Sequence, residues 1–340
     1  MKKLTYAEAI REGIKEEMER DERVFCIGED IGVEHGFGGA FTVTLGLSDI
    51  FGHERILDTP ISEAGLAGAA IGAAMMGMRP IADVQYGDFL FCAMDQVGNQ
   101  IAKMRYMSGG KLTVPLVMRA PVGVTGRGAQ HAQMMEPFFL PLPGIKLLVP
   151  ATAYDAKGLL KAAVRDGNPV LIFEHKLLYG SKGPRSESGT IDASSEIPEG
   201  DYTVPIGKGI IRREGTDVTI IATLLMMHRA MEAAGLLEQE GISAEVIDPR
   251  SLVPFDWDLV KSSVAKTNRV VIVEESPKRG GVGAEIAATL AEEMLDFLVA
   301  PVKRVAAPVT PAPFSPSMEK FYVPDARRIA REVRELMLIS

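Results

Sequence analysis

The chain has 340 residues, 46% of them hydrophobic and 24% charged. That length exceeds one typical domain and suits two, and the composition is that of ordinary globular material. A formal net charge of −8 with no offsetting basic cluster excludes a nucleic-acid backbone as main partner, and no uncharged run reaches the roughly 20 residues that span a bilayer. From the first residues, Thr5 and Glu8 have capping-box spacing, and Ile10, Ile14 and Met18 share one face. This predicts an amphipathic helix and not a signal peptide, so a cytoplasmic location is expected. The two cysteines, Cys26 and Cys92, each lie in an apolar run and are expected as buried free thiols.

Apolar runs at 24–28, 81–85, 114–119, 146–149 and 170–174 predict buried strands, with helical patterns at 88–107 and 153–165 between them. Such alternation predicts an α/β fold, a parallel sheet covered by helices. The pattern breaks near Gly180, where SKGPRSESGTIDASSEIPEGDYTVP is polar and rich in Ser, Gly and Pro. It resumes with strands at 217–223, 242–247, 269–274 and 302–306, helices at 229–240 and 285–298, a Pro-rich PVTPAPFSPS and a closing helix from Asp325. The expected division is a first domain over 1–185, a linker over 186–204 and a smaller α/β domain over 205–340.

Three stretches carry candidate chemistry. In DTPISEAGLAGAAIGAAMMGMRP, Glu63 opens a helix whose Gly65, Gly68 and Gly72 recur at helical spacing. The carboxylate either favours the helix dipole and nothing more, or it is desolvated among closely packed backbones and waits for a hydrogen-bonding ligand such as a ring nitrogen. In APVGVTGRGAQHAQMMEPFF, His131 lies in a glycine-rich loop beyond a strand end, where open α/β sheets place ligands. The alternative is an ordinary satisfied histidine. In AAVRDGNPVLIF a helix stops at Asp166-Gly167-Asn168, and its last carbonyls with Asp166 and Asn168 offer oxygen ligands to a cation, or simply a helix stop. A fourth stretch, SPKRGGVGAEIAATL, has the outline of a dinucleotide fingerprint but carries Ile286 where the third glycine belongs.

The stretches GED at 28–30, DTPISEAGLAG, FLFCAMDQVGNQIAKMRYMSGG, GAQHAQ, GIKLLVPATAYDAKGLL, DGNP, IDPRSLVPFD and VVIVEES together resemble one family over almost the whole chain. It is that of the beta subunits of the thiamine-diphosphate-dependent decarboxylating component of 2-oxo acid dehydrogenase complexes, which act on pyruvate, branched-chain 2-oxo acids or acetoin. The resemblance implies a transketolase-like pyrimidine-binding domain followed by a transketolase C-terminal domain. It implies that Glu63, in the TPISE motif, contacts the 1′ nitrogen of the aminopyrimidine and promotes proton removal from the thiazolium carbon. It places Phe89 against the pyrimidine ring, the alternative being core packing, and His131 near the reacting centre. It also implies a monovalent cation, potassium, at Leu116, Ala163, Val164, Asp166 and Asn168, mostly through backbone carbonyls.

Thiamine-diphosphate enzymes hold magnesium and the diphosphate with a G-D-G motif, and this chain has none. The resemblance therefore implies half an active site, completed by an alpha subunit in an α2β2 heterotetramer that passes acyl groups to a lipoyl-bearing acyltransferase core. Glu34 and His35, in IGVEHGFGGAF, stand where substrate access would be affected. The competing expectations are the C-terminal half of a split transketolase, a non-catalytic scaffold and a dinucleotide oxidoreductase.

Overall fold

The computed structural model describes residues 1–33, 36, 38–180 and 191–339. Two compact units emerge, one from residues 1–122 and 141–206, the other from 123–140 and 207 onward. Glu34 and His35, and part of the polar stretch after Gly180, lie outside the described residues.

The first unit begins with β1 (Lys2–Leu4) and α1 (Tyr6–Arg20), whose capping box is formed as the Thr5/Glu8 spacing predicts. It continues through β2 (Val24–Gly28), α2 (Leu47–Phe51), β3 (Ile56–Asp58), α3 (Glu63–Met75) and β4 (Arg79–Asp83). After α4 (Met104–Met107) come β5 (Val117–Val122) and, in the second unit, the single turn α5 (Glu136–Phe139). The first unit then resumes with β6 (Lys146–Leu148), α6 (Ala153–Arg165), β7 (Val170–His175) and β8 (Ser195–Ile197). Its main sheet has the order β6-β7-β5-β4-β2-β3 and every pair is parallel. β5 and β7 are buried throughout, so they read in sequence as continuous apolar runs instead of alternating ones. α1 lies against α6 so closely that a Cβ on Gly13 would meet Leu160 and Lys157 at 3.3 Å.

Three expectations need correction. The stretch 88–107 is not one helix: a 3₁₀ run over Gly87–Ala93 and a π-helical run over Gln96–Ile101 precede α4. Burial at Gly87, Leu90 and Ala93 repeats every three residues, the period of a 3₁₀ helix and not of an α-helix. The same geometry turns Cys92 outward beside Phe91, so only Cys26 is a buried thiol. Nor is α3 enclosed on all sides. Gly65, Gly68, Ala69 and Gly72 form an exposed stripe, and a Cβ on Gly68 or Gly72 would meet nothing within 4 Å.

The second unit contains β9 (Ile210–Arg213), β10 (Val218–Ala222), α7 (Leu224–Glu238), β11 (Ala244–Asp248), β12 (Ser251–Val253) and α8 (Trp257–Thr267). It ends with β13 (Val270–Pro277), α9 (Val282–Glu293), β14 (Lys303–Ala307), α10 (Pro316–Tyr322) and α11 (Ala326–Met337). The sheet order is β14-β13-β10-β11-β9, parallel except for the edge strand β9. Asp325 caps α11 by accepting from the Arg328 N–H at 2.7 Å. Val124 and Ala132 form a small core with Ala307, Ala312 and Tyr322, which anchors the 123–140 segment in this unit. Among the described residues no helix is long and apolar enough to cross a membrane.

Candidate active site

Parallel strands end together, and the loops leaving their C-terminal ends form a common rim. In the first unit three loops meet there. The Gly28 carbonyl accepts from the Thr59 N–H at 3.0 Å, and the Asp58 carboxylate accepts from the Gly32 N–H at 3.1 Å. The Gln85 amide donates to the Glu29 carbonyl and accepts from the Ala40 N–H. Glu63 stands at the first position of α3 behind its cap Ser62, which accepts from the Gly65 N–H at 3.3 Å.

Glu63 is half-buried and makes no hydrogen bond or ion pair with a described residue. Glu29 is close enough to feel it: burial first, then the charges of Asp30 and Glu63, raise the Glu29 carboxyl above its ordinary range. The buried hydroxyl of Thr59, four residues before Glu63, also finds no partner among the described residues. Two carboxyls and an orphaned hydroxyl around one helix tip suit a ligand that brings hydrogen-bonding nitrogens. An aminopyrimidine fits that donor and acceptor set.

Phe89 is half-buried and packs edge-on against Tyr86, with ring centroids 5.5 Å apart. Tyr86 in turn meets Phe41 at 5.7 Å, and the buried Lys176 ammonium lies 5.1 Å from its ring centroid. Phe41 stacks on Tyr179 at 4.9 Å. The Tyr179 hydroxyl donates to Glu174 at 2.6 Å, and Glu174 takes both Nε and Nη2 of Arg119 at 2.8 and 2.6 Å. Arg119 also bonds Asp83 at 2.5 Å. Burial opposes the Arg119 charge, but Glu174 and Asp83 outweigh it and raise the guanidinium further above its usual range. A fully partnered buried network of this kind fixes geometry more than it adds stability. The sequence reading missed it, although its signal was there: one charged residue inside each of the apolar runs IAD, VMRA and IFEH.

The DGNP turn is crowded with cations. Arg79 donates to the Val164 and Asp166 carbonyls at 2.6 and 3.0 Å, Lys146 to the Asp166 carboxylate at 2.5 Å and Arg105 to the Asn168 side chain at 2.7 Å. The Leu116 and Ala163 carbonyls accept from the Val170 and Asp166 N–H groups at 2.9 and 3.2 Å. All five carry oxygen atoms around one turn. Among the described residues there is no cluster of three or more His, Cys, Asp or Glu able to hold a metal.

His131 belongs to the second unit, whereas Glu63 and Phe89 belong to the first. It is half-buried, and its N–H closes a turn onto the Gly128 carbonyl at 3.3 Å. The same unit buries three carboxyls that the sequence reading did not single out, Glu136, Glu274 and Glu275. Burial, with Glu275 and Glu274 as neighbours, pushes Glu136 up to about 8, and burial pushes Glu274 up to about 7.

Residues 2–182 match the transketolase pyrimidine-binding domain, and residues 207–329 match the transketolase C-terminal domain. The 2-oxoisovalerate dehydrogenase subunit beta of Bacillus subtilis (strain 168) is 46% identical over 338 residues, covering 99% of this chain and 99% of its own. The beta subunit of the acetoin:2,6-dichlorophenolindophenol oxidoreductase of the same organism is 45% identical over 344 residues, covering 98% and 97%. The chain belongs to the beta subunits of thiamine-diphosphate-dependent 2-oxo acid and acetoin dehydrogenases. Beta subunits of this family act with an alpha subunit in the decarboxylating component. A solved split-gene transketolase, an inactive beta4 tetramer, superposes with a TM-score of 0.77 over 99% of both chains but is only 26% identical. The architecture is thus shared with split transketolase, while the sequence lies with the dehydrogenases.

Proposed function

We propose that this beta subunit, assembled with an alpha subunit as an α2β2 heterotetramer, decarboxylates pyruvate or a branched-chain 2-oxo acid and passes the acyl group to a lipoyl-bearing acyltransferase core. The observation that carries the reading is the Glu63 carboxyl, half-buried at a helix tip and without a partner among the described residues. Bound thiamine diphosphate would supply the acidic thiazolium carbon and the electron sink for decarboxylation. Glu63 would hold a proton at the 1′ ring nitrogen, Phe89 would pack against the pyrimidine, and Thr59 would offer its unspent hydroxyl. The diphosphate and magnesium would lie mainly with the alpha subunit, since this chain has no G-D-G motif.

A monovalent cation at Leu116, Ala163, Val164, Asp166 and Asn168 would use the second lone pairs of carbonyls already bonded once. Arg79 and Lys146 reach the same turn from β4 and β6, so like-charge repulsion would make that site weak. Acetoin cleavage is the second reading, supported by the 45% identity to an acetoin-enzyme subunit. The test is co-expression with the alpha subunit, followed by a panel of 2-oxo acids and acetoin with an artificial electron acceptor. Turnover of a 2-oxo acid is expected. Ketol transfer between sugar phosphates in place of decarboxylation would overturn the reading.

A further inference from the structure

The loop that carries His131 is held by three groups from the C-terminal part of its own unit. The Val124 N–H donates to the buried Glu275 carboxylate at 2.7 Å, and the Gly126 N–H donates to Glu319 at 2.6 Å. A Cβ on Gly128 would meet the Phe314 ring at 3.3 Å. Gly126 and Gly128 both have left-handed backbone, φ +71° and +79°, and such glycines leave a free loop with many alternatives. The clamps fall on alternate residues, 124, 126 and 128, so the leg leading to His131 is held along its length. The next turn depends on the last of them, because His131 is tied to the Gly128 carbonyl.

We propose that Glu319 is a positioning residue for His131, acting through the Gly126 N–H from α10; the inference rests on the proposed function and takes His131 to serve its acyl-transfer step. The supports of the clamp differ in kind. Glu275 lies on β13 and is buried, so it belongs to the core as much as to the loop. Glu319 is half-exposed on α10, a helix seated by Ala312 and Tyr322 in the same small core as Val124 and Ala132. Its carboxylate is a charge-assisted acceptor at a short distance, and removing it opens the loop without emptying the core. Glu319→Gln keeps an acceptor oxygen, whereas Glu319→Ala does not.

The experiment uses the assembled α2β2 enzyme. Glu319→Ala should lower acyl transfer to a lipoyl domain about tenfold, a modest share of what an ångström of misplacement costs, and should leave reduction of an artificial acceptor within about twofold. Glu319→Gln should restore most of the transfer. In a double-mutant cycle, Glu319→Ala should add nothing to His131→Ala. Independently of activity, hydrogen exchange on the full chain should quicken at 123–131 in the Ala variant and not in the Gln variant. Equal loss in both assays, full additivity with His131→Ala, or unchanged exchange at 123–131 would overturn the proposal. A wild-type enzyme without lipoyl transfer would instead overturn the proposed function, and the exchange measurement would then decide the clamp alone.

Discussion

Glu63, His131 and Glu136 are three ionisable residues with three different surroundings, and each surrounding predicts a different behaviour. Glu63 has no hydrogen-bond or ion-pair partner among the described residues, so its carboxyl is available to a ligand. Glu63→Gln preserves size, but an amide cannot shuttle a proton to or from a ligand. It should lower decarboxylation by about 10² to 10⁴ while leaving assembly intact, read by hydrogen–deuterium exchange at the thiazolium carbon of the assembled enzyme. His131→Ala should cut transfer to lipoyl groups more than it cuts reduction of an artificial acceptor, with both rates measured on one preparation, because imidazole donates a proton near neutral pH.

Glu136 is buried, one of its oxygens has no partner among the described residues, and its carboxyl is pushed up to about 8 from an ordinary 4.5. The folded chain therefore keeps a proton that the unfolded chain loses. This contribution to stability is fully present below the unfolded value and is lost as pH rises through the folded one. By pH 7 about 3 kcal/mol of it is already lost. The thermal midpoint of the wild-type chain should fall between pH 5 and pH 8, and Glu136→Gln should flatten that dependence, as followed by circular dichroism.

At the scale of elements, α3 and the 88–107 stretch show why pattern reading stops where it does. Gly68 and Gly72 on α3 face open space within the chain, yet glycine inside a helix costs roughly 0.5–1 kcal/mol relative to alanine. Small residues on an exposed helix face suit close packing against another chain, and we propose the alpha subunit as that chain. Gly72→Leu should accordingly leave the thermal midpoint of the isolated chain unchanged or raised, and weaken assembly with the alpha subunit in sedimentation velocity. The opposite pair of results would place the stripe outside the contact. The 88–107 stretch looks helical because its apolar residues are frequent. Their burial follows a three-residue period near Phe89 and then changes, and that phase is set by the sheet beneath and by the Tyr86 contact, not by local propensity.

At the scale of the whole molecule, the chain carries the groups that suit a pyrimidine and lacks the motif that holds a diphosphate. Calorimetry on the isolated chain with magnesium should therefore show no tight thiamine diphosphate binding, and affinity should appear on addition of the alpha subunit. Micromolar binding by the chain alone would sink this view of a shared site.

The sequence by itself determined the α/β alternation, the capped first and last helices, most strands to within a few residues, and the motifs around Glu63, His131 and DGNP. These are local properties: apolar runs, cap spacing and turn residues express themselves wherever the chain goes. Only the tertiary structure decided that Arg119 joins Asp83 and Glu174, that Cys92 faces outward, that residues 123–140 leave the first unit for the second, and that Glu275 and Glu319 hold the His131 loop. Cys92 apart, each of these joins groups far apart in the chain, up to 193 residues for Gly126 and Glu319. No local spacing encodes such a meeting, because it exists only once strand order and strand ends have brought the two segments together.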